Sequence, residues 1–173
     1  ISPDGRVSNY LHEVIQVGDM IDVTAPAGDF TINMEKQTPL VFLSGGVGIT
    51  PFMSMVHAVA DQKPERDVQF IHASENGALQ PFRSELTELS RKLTNYQLSF
   101  VYKNPSEEDK NLPNFEKQGY MDAELLSSHV KPEADYYVCG PVPFMKTIIT
   151  HLKELGVDSE KIHYEFFGPA MAL

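Results

Sequence analysis

The 173-residue sequence contains no tryptophan and a single cysteine, Cys139, so no intramolecular disulfide can staple the fold. Basic residues are scarce: 14 Lys and Arg against 24 Asp and Glu leave a formal net charge of −10. A surface of that sign repels phosphate backbones and anionic headgroups, which argues against nucleic acid or membrane as a partner. No apolar run approaches the length of a bilayer span. No leader-like segment opens the chain, and the expected location is cytoplasmic. The six histidines, at positions 12, 57, 72, 129, 151 and 163, show no metal-ligand spacing with one another or with Cys139, and no metal is expected. The beginning "ISPDGRV" carries no initiator methionine and reads as part of a longer protein.

What is there is a repeating alternation. Short apolar segments at 40–44, 68–73, 98–102, 135–139 and 162–166 read as strands. Segments at 51–61, 82–93, 123–128 and 143–155 have helical composition or spacing between them. In the last, Phe144, Ile148, Leu152 and Leu155 form one apolar stripe, and Gly156 stands where a glycine would end the helix. Strands alternating with helices require crossover connections. The expected fold class is therefore α/β, an open parallel five-stranded sheet with helices on both faces. The polar stretch 104–118, with two prolines, reads as an exposed loop. Residues 1–34 differ in texture: Met20 to Thr24 alternates like a half-buried strand between turn signals, as in the tail of a small β domain. The expected division is 1–34 and 35–173.

Glycines are few, but three of the 11 crowd into "SGGVGITP" after the first strand. Thr50 is expected to cap the following helix, with Pro51 in its first position. Gly45, Gly46 and Gly48 would then let a ligand approach backbone N–H groups at a positive helix end, which is an anion site. Neither the Gly-Lys-Ser/Thr of phosphate-binding loops nor a full G-x-G-x-x-G is present. The plain alternative is a tight turn. Other strand ends add to the first. Glu75, after the second strand, stands roughly where dinucleotide folds keep an acid for ribose hydroxyls, and would favour NADH over NADPH; Arg83 argues the other way, and an exposed loop carboxylate is the plain alternative. The fourth strand ends Cys139-Gly140-Pro141, a second glycine–proline corner before a helix. Cys139 lies where it would touch the reacting end of a cofactor, or it is simply a small buried residue. The chain closes on "EFFGPAMAL", with adjacent aromatics suited to covering a flat ring.

Together, "SGGVGITP", "YYVCGPVPFM" and "EFFGP" resemble the ferredoxin-reductase-like NAD(P)H:flavin oxidoreductases. "GRVSNYLHE", "APAGDF", "HASENG" and "IHYEFFGP" look like the reductase portion of bacterial flavohaemoglobins, which are nitric oxide dioxygenases. The resemblance implies that Gly46, Val47, Gly48, Ile49, Thr50 and Pro51 hold the pyrophosphate region of NADH or NADPH. Phe166, Phe167, Gly168 and Pro169 would border FAD, with Phe167 packed on the isoalloxazine. Glu165 would tune the redox balance, and Val7, Ser8 and Asn9 would lie by the FAD phosphates. It also implies hydride transfer to flavin and electron delivery to the haem of a globin domain that this chain does not contain. By the resemblance residues 1–34 would be the C-terminal remnant of an antiparallel β-barrel FAD domain and 35–173 the NAD(P)H-binding domain; the family's Arg-x-Tyr-Ser strand, which supplies the main FAD contacts, is absent too, so FAD is expected to bind weakly or not at all. Two further readings stay open: a reductase serving another electron-transfer system, and a non-catalytic nucleotide-binding module.

Overall fold

The computed structural model describes residues 4–167. Its framework is a parallel sheet built from β1 (Leu40–Gly45), β2 (Val68–Ser74), β3 (Tyr96–Tyr102), β4 (Phe115–Gln118), β5 (Asp135–Cys139) and β6 (Ile162–Glu165), in the order β4-β3-β2-β1-β5-β6. Among the described residues the sheet has six strands rather than the five expected. The addition, β4, pairs with β3 inside the stretch read as a loop, beyond a short helix α4 (Glu107–Lys110). Its residues alternate between half-buried and exposed, as suits an edge strand, and their polarity hid them.

The remaining helices are α1 (Arg6–Glu13), α2 (Thr50–Gln62), α3 (Arg83–Leu89), α5 (Ala123–His129) and α6 (Val142–Glu154). All six residues of β1 are buried, because alternate side chains enter different cores on the two faces. On one face Leu40, Phe42, Val68, Phe70 and Phe100 meet Phe52, Val56 and Val59 of α2 and Leu86 and Leu89 of α3. On the other, Val41, Leu43, Ile71 and Val138 meet Leu125 and Leu126 of α5 and Ile148, Ile149 and Leu152 of α6. α6 ends as expected: Gly156 adopts φ +85°, and the N–H groups of Gly156 and Val157 close back on Lys153 and Leu152.

Upstream of β1 the structure is different. α1 buries no residue. Residues 20–24, read as a strand, form none; no described strand pairs with them, and their apolar side chains Met20, Ile21 and Val23 are exposed. From Phe30 the chain is strapped to the sheet. The Phe30 ring lies 5.9 Å from Phe52 and 5.8 Å from Tyr137, and Ile32 and Met34 pack on the same core. Arg66, 2% exposed, locks the strap by donating to the carbonyls of Asn33 (3.0 Å) and Thr38 (2.8 Å).

Candidate dinucleotide site

The strand order locates the site. The chain lays down β1, β2, β3 and β4 outward in one direction, then returns to place β5 on the other side of β1. Connections from β1 and β5 therefore leave in opposite senses, and a crevice opens at their carboxyl ends. Both glycine corners stand there. Ser44 of β1 is the register partner of Cys139 of β5, so Gly45-Gly46 and Gly140-Pro141 emerge side by side.

The first corner is built one turn differently from the sequence expectation. Residues Gly46–Ile49 form a 3₁₀ turn that runs directly into α2. Thr50 is therefore inside the helix rather than capping it, and Pro51 is one position further in; the Thr50 hydroxyl donates to the Val47 carbonyl at 3.1 Å. The glycines permit this early winding, since Gly46 takes φ +54°, which side-chain-bearing residues adopt at a cost. The N–H groups of the helical run are thus presented from Gly46 and Val47, the latter 65% exposed.

The glycines differ in what they do. A Cβ on Gly46 would meet nothing within 4 Å, and Gly46 lines a cavity of about 400 Å³. A Cβ on Gly48 would stand 2.6 Å from the Gly140 Cα and closer still to the Cys139 carbonyl. Gly48 is thus required for one corner to pack on the other, and neither its Cα nor the buried Ile49 opens toward the cavity. Gly45 and Gly140 make room for the Phe144 ring of α6, which would lie 3.0 and 2.7 Å from their Cβ positions. Phe144 was legible only as part of a helix stripe, yet it lies beneath both corners and lines the cavity.

The cavity runs along the strand ends from β4 to β5, roughly 19 Å at ordinary strand spacing. Pro141 and Thr147 flank it on the β5 side, and Glu75, Lys103 and Tyr120 stand at the ends of β2, β3 and β4. Tyr120 was invisible in the sequence because it follows the edge strand that was read as loop; Lys103 follows the expected third strand, but a lone lysine there carries no ligand signal. Arg83, the residue weighed against Glu75, is directed elsewhere: its guanidinium sits 3.7 Å from the Asp109 carboxylate. That carboxylate accepts from the backbone N–H groups of Ser106 and Gly77, which hold it below the usual range.

Cys139 is fully buried, and its thiol lies 3.6 Å from the Glu165 carbonyl oxygen. Burial, with the nearby Glu165 charge, pushes the thiol up to about 11, so it stays protonated at neutral pH. Glu165 ends β6 as the register partner of Cys139. Phe166 follows, half-buried and edge-on to Tyr164 at 5.9 Å, and Phe167 is 52% exposed. Gly168 and Pro169 lie outside the described residues. At the other end of the chain, Val7 and Ser8 occupy the first turn of α1 with N–H groups that have no partner inside the helix. The Asn9 N–H instead donates to the Gly5 carbonyl at 3.0 Å. Among the described residues no group of three or more His, Cys, Asp or Glu side chains converges as a metal site, and no helix is long and apolar enough to cross a membrane.

Residues 42–150 match the sequence model of the oxidoreductase NAD-binding domain. The chain belongs to this family. Over 99% of its length it is similar to the flavohemoproteins of Bacillus thuringiensis subsp. konkukian (strain 97-27), at 45% identity, and of Halalkalibacterium halodurans, at 46% identity. It spans 43% and 42% of those proteins, less than half of the curated relatives it matches. Among solved structures, the flavohem-like FAD/NAD-binding domain of nitric oxide dioxygenase from Vibrio cholerae O1 biovar El Tor superposes with a TM-score of 0.81 at 34% identity, over 95% of this chain and 65% of that one. A flavohemoglobin from Malassezia yamatoensis with bound FAD and heme gives 0.81 at 30% identity, over 97% of this chain and 42% of that one. The NAD-binding domain match covers residues 42–150, and the two solved structures share the fold over 95% and 97% of this chain.

Proposed function

We propose that the chain is the NAD(P)H-binding part of a flavohemoglobin reductase, whose intact form carries hydride from nicotinamide to FAD and electrons onward to a globin haem for the oxygen-dependent conversion of nitric oxide to nitrate. The observation that carries this is the cavity at the β1–β5 switch point, which Gly45 and Gly46, without side chains, line where β1 gives way to a helical run. A pyrophosphate fits that chemistry, because it needs close main-chain donors and a positive helix end. Glu75, at the carboxyl end of β2, suits the adenosine ribose, while Gly140, Pro141 and Phe166 lie toward the strands where a nicotinamide would reach a flavin. On this reading residues 1–34 belong to the FAD-binding unit and 35–173 to the dinucleotide unit.

Each residue then has a defined task. Val47 to Pro51 wind the start of the helical run and so fix Gly45 and Gly46 at the cavity. Cys139, uncharged and buried, supplies a dry wall rather than a nucleophile. Glu165 places a carboxylate behind that wall, where its charge bears on a neighbouring redox group. Phe167, exposed in this chain, offers a ring for the flavin face, and Val7 and Ser8 offer N–H groups to the flavin's phosphates. The flavin, when bound, accepts a hydride and releases electrons singly; the protein contributes orientation and electrostatics. We place the protein in the cytoplasm, where a lone free thiol is the ordinary state of cysteine.

Calorimetric titration of the purified chain with NADH and NADPH tests the proposal. Saturable binding of at least one, displaced by AMP, is the expected result; failure of both to bind at millimolar concentration would overturn it. A visible spectrum after incubation with FAD and desalting shows whether this chain alone retains flavin. NADH bleaching of a retained band without oxygen would assign hydride transfer to it.

A further inference from the structure

Helix α1 presents an apolar stripe with none of its residues buried. Val7, Tyr10, Leu11 and Val14 fall at i, i+3, i+4 and i+7, one face of the helix, and are 71%, 52%, 46% and 55% exposed. Val14 still belongs to the winding, since its N–H donates to the Tyr10 carbonyl at 3.0 Å. A helix of eight residues is marginal in water unless such a face packs against something. Val17, Met20, Ile21 and Val23, in the segment that follows, are exposed as well. The stripe offers roughly 400 Å² per copy and these four at least as much again, enough for the about 800 Å² that each partner contributes to a standard interface. The charges beside the stripe choose the occupant. Arg6 and Glu13, both exposed, stand seven residues apart and so share one flank of α1, whereas Ser8 and His12 lie on the other.

We propose that this stripe docks against α1 of a second copy of the chain, antiparallel about a twofold axis; the proposal stands independently of the dinucleotide reading above. Val7 then meets Val14 of the second copy, and Tyr10 meets Leu11. A twofold axis across the helices sets each flank against the same flank of the other copy, running the opposite way. Arg6 therefore faces Glu13 of the second copy, two residues or about 3 Å from direct opposition, and Glu13 faces Arg6. A parallel pair would set that flank against Ser8 and His12, and neither charge would meet its opposite. The helix dipoles are also opposed in the antiparallel pair. Although the chain carries a net charge of −10, α1 carries one Arg and one Glu, so the copies meet through a face that does not share the overall repulsion.

Sedimentation velocity of the full chain over a concentration series is the test, and a reversible monomer–dimer equilibrium is the expected result. Leu11→Glu, which sets a carboxylate in the stripe, raises the dissociation constant at least about tenfold. Arg6→Glu and Glu13→Arg each place two like-charged pairs across the axis and raise it about three- to tenfold. Mixing these two variants in equal amounts restores the wild-type association, because both flank pairs of the mixed dimer are again opposite in charge. An unspecific apolar contact would show no such recovery. Because α1 buries no residue, the substitutions leave both cores of the sheet intact, which the far-UV spectrum of each variant checks. A chain that stays monomeric at millimolar concentration overturns the proposal. So does a monomer whose α1 amides are protected from hydrogen exchange, since its own chain then covers the stripe. Aggregates larger than dimers, or dimers that the charge variants and their mixture leave unaltered, overturn it as well.

Discussion

Replacing Gly48 with alanine is the sharpest test of how the two glycine corners are joined. The added Cβ would stand 2.6 Å from the Gly140 Cα and closer to the Cys139 carbonyl, where carbon contacts normally settle at about 3.5–4.0 Å. The corners must therefore part by about 1 Å. No rotamer can absorb that, because the opposing atoms are main chain. Their strands are hydrogen-bonded neighbours, from Leu40 paired with Asp135 to Ser44 paired with Cys139, so the displacement works against the centre of the sheet. Overpacking costs about 1–3 kcal/mol where side chains can adjust, and here the upper end, about 3 kcal/mol, is expected. Urea denaturation should show a clearly lowered midpoint with an unchanged slope, and NADH affinity should fall as the corners separate. Gly46→Ala is the internal control. With φ +54° and no atom within 4 Å of its Cβ, it should cost only about 1 kcal/mol, the left-handed penalty alone. If Gly48→Ala kept the wild-type midpoint and NADH affinity, or proved milder than Gly46→Ala, the reasoning would be wrong.

Two further outcomes follow from buried polar groups. His72 is fully buried against the Ser44 hydroxyl at 2.7 Å, and burial pushes its pKa from 6.5 down to about 4. The unfolded chain then takes up a proton that the folded chain refuses, so stability present above pH 6.5 is lost on acidification toward pH 4. By pH 4.5 the loss reaches about 2.5 kcal/mol, and in His72→Gln that part of the acid-induced loss should vanish from denaturation curves measured at pH 7.5 and 4.5. Arg66→Met removes the donors that hold the strap carbonyls of Asn33 and Thr38. It should cost about 3 kcal/mol and expose residues 30–38 to hydrogen exchange, whereas retained protection there would refute the clamp.

The parallel sheet was legible because strands buried on both faces leave uninterrupted apolar runs such as Leu40 to Leu43, and helices between them leave stripes such as Phe144 to Leu155. The edge strand Phe115–Gln118 left no such mark. Half its residues face solvent, and Pro113 and the acidic turn before it read as loop. The alternation from Met20 to Thr24 misled in the opposite way: it satisfies a strand pattern, but a strand exists only where a partner is available to pair with it. At the site, the glycine run announced a crevice correctly, yet not what each glycine does. The need for Gly48 is set by a backbone that arrives only with β5, far along the chain, and no local pattern encodes that approach. Thr50 illustrates the same limit at short range. A Thr-Pro pair before an apolar stripe signals a helix start, but the 3₁₀ turn permitted by Gly46 and Gly48 began the winding earlier.

The division of labour among the glycines bears on how such a site acquires its selectivity. Gly45, Gly48 and Gly140 are consumed by assembly: they admit Phe144 and let the β1 and β5 corners touch. Of the four corner glycines, Gly46 alone has open space at its Cβ position, and on the dinucleotide reading its main chain would meet a pyrophosphate without telling one dinucleotide from another. Discrimination must come from side chains at the neighbouring strand ends. Those side chains sort by position in the sheet. Toward β2 and β3 stand the opposed charges of Glu75 and Lys103, suited to a ribose and its substituents. Toward β5 and β6 stand the uncharged Cys139, the Glu165 carboxylate and the Phe166 and Phe167 rings, suited to an apolar ring system with a redox partner. A substitution at one end should therefore alter nucleotide choice without disturbing the other, because strands β1 and β5, and the glycines that join them, separate the two.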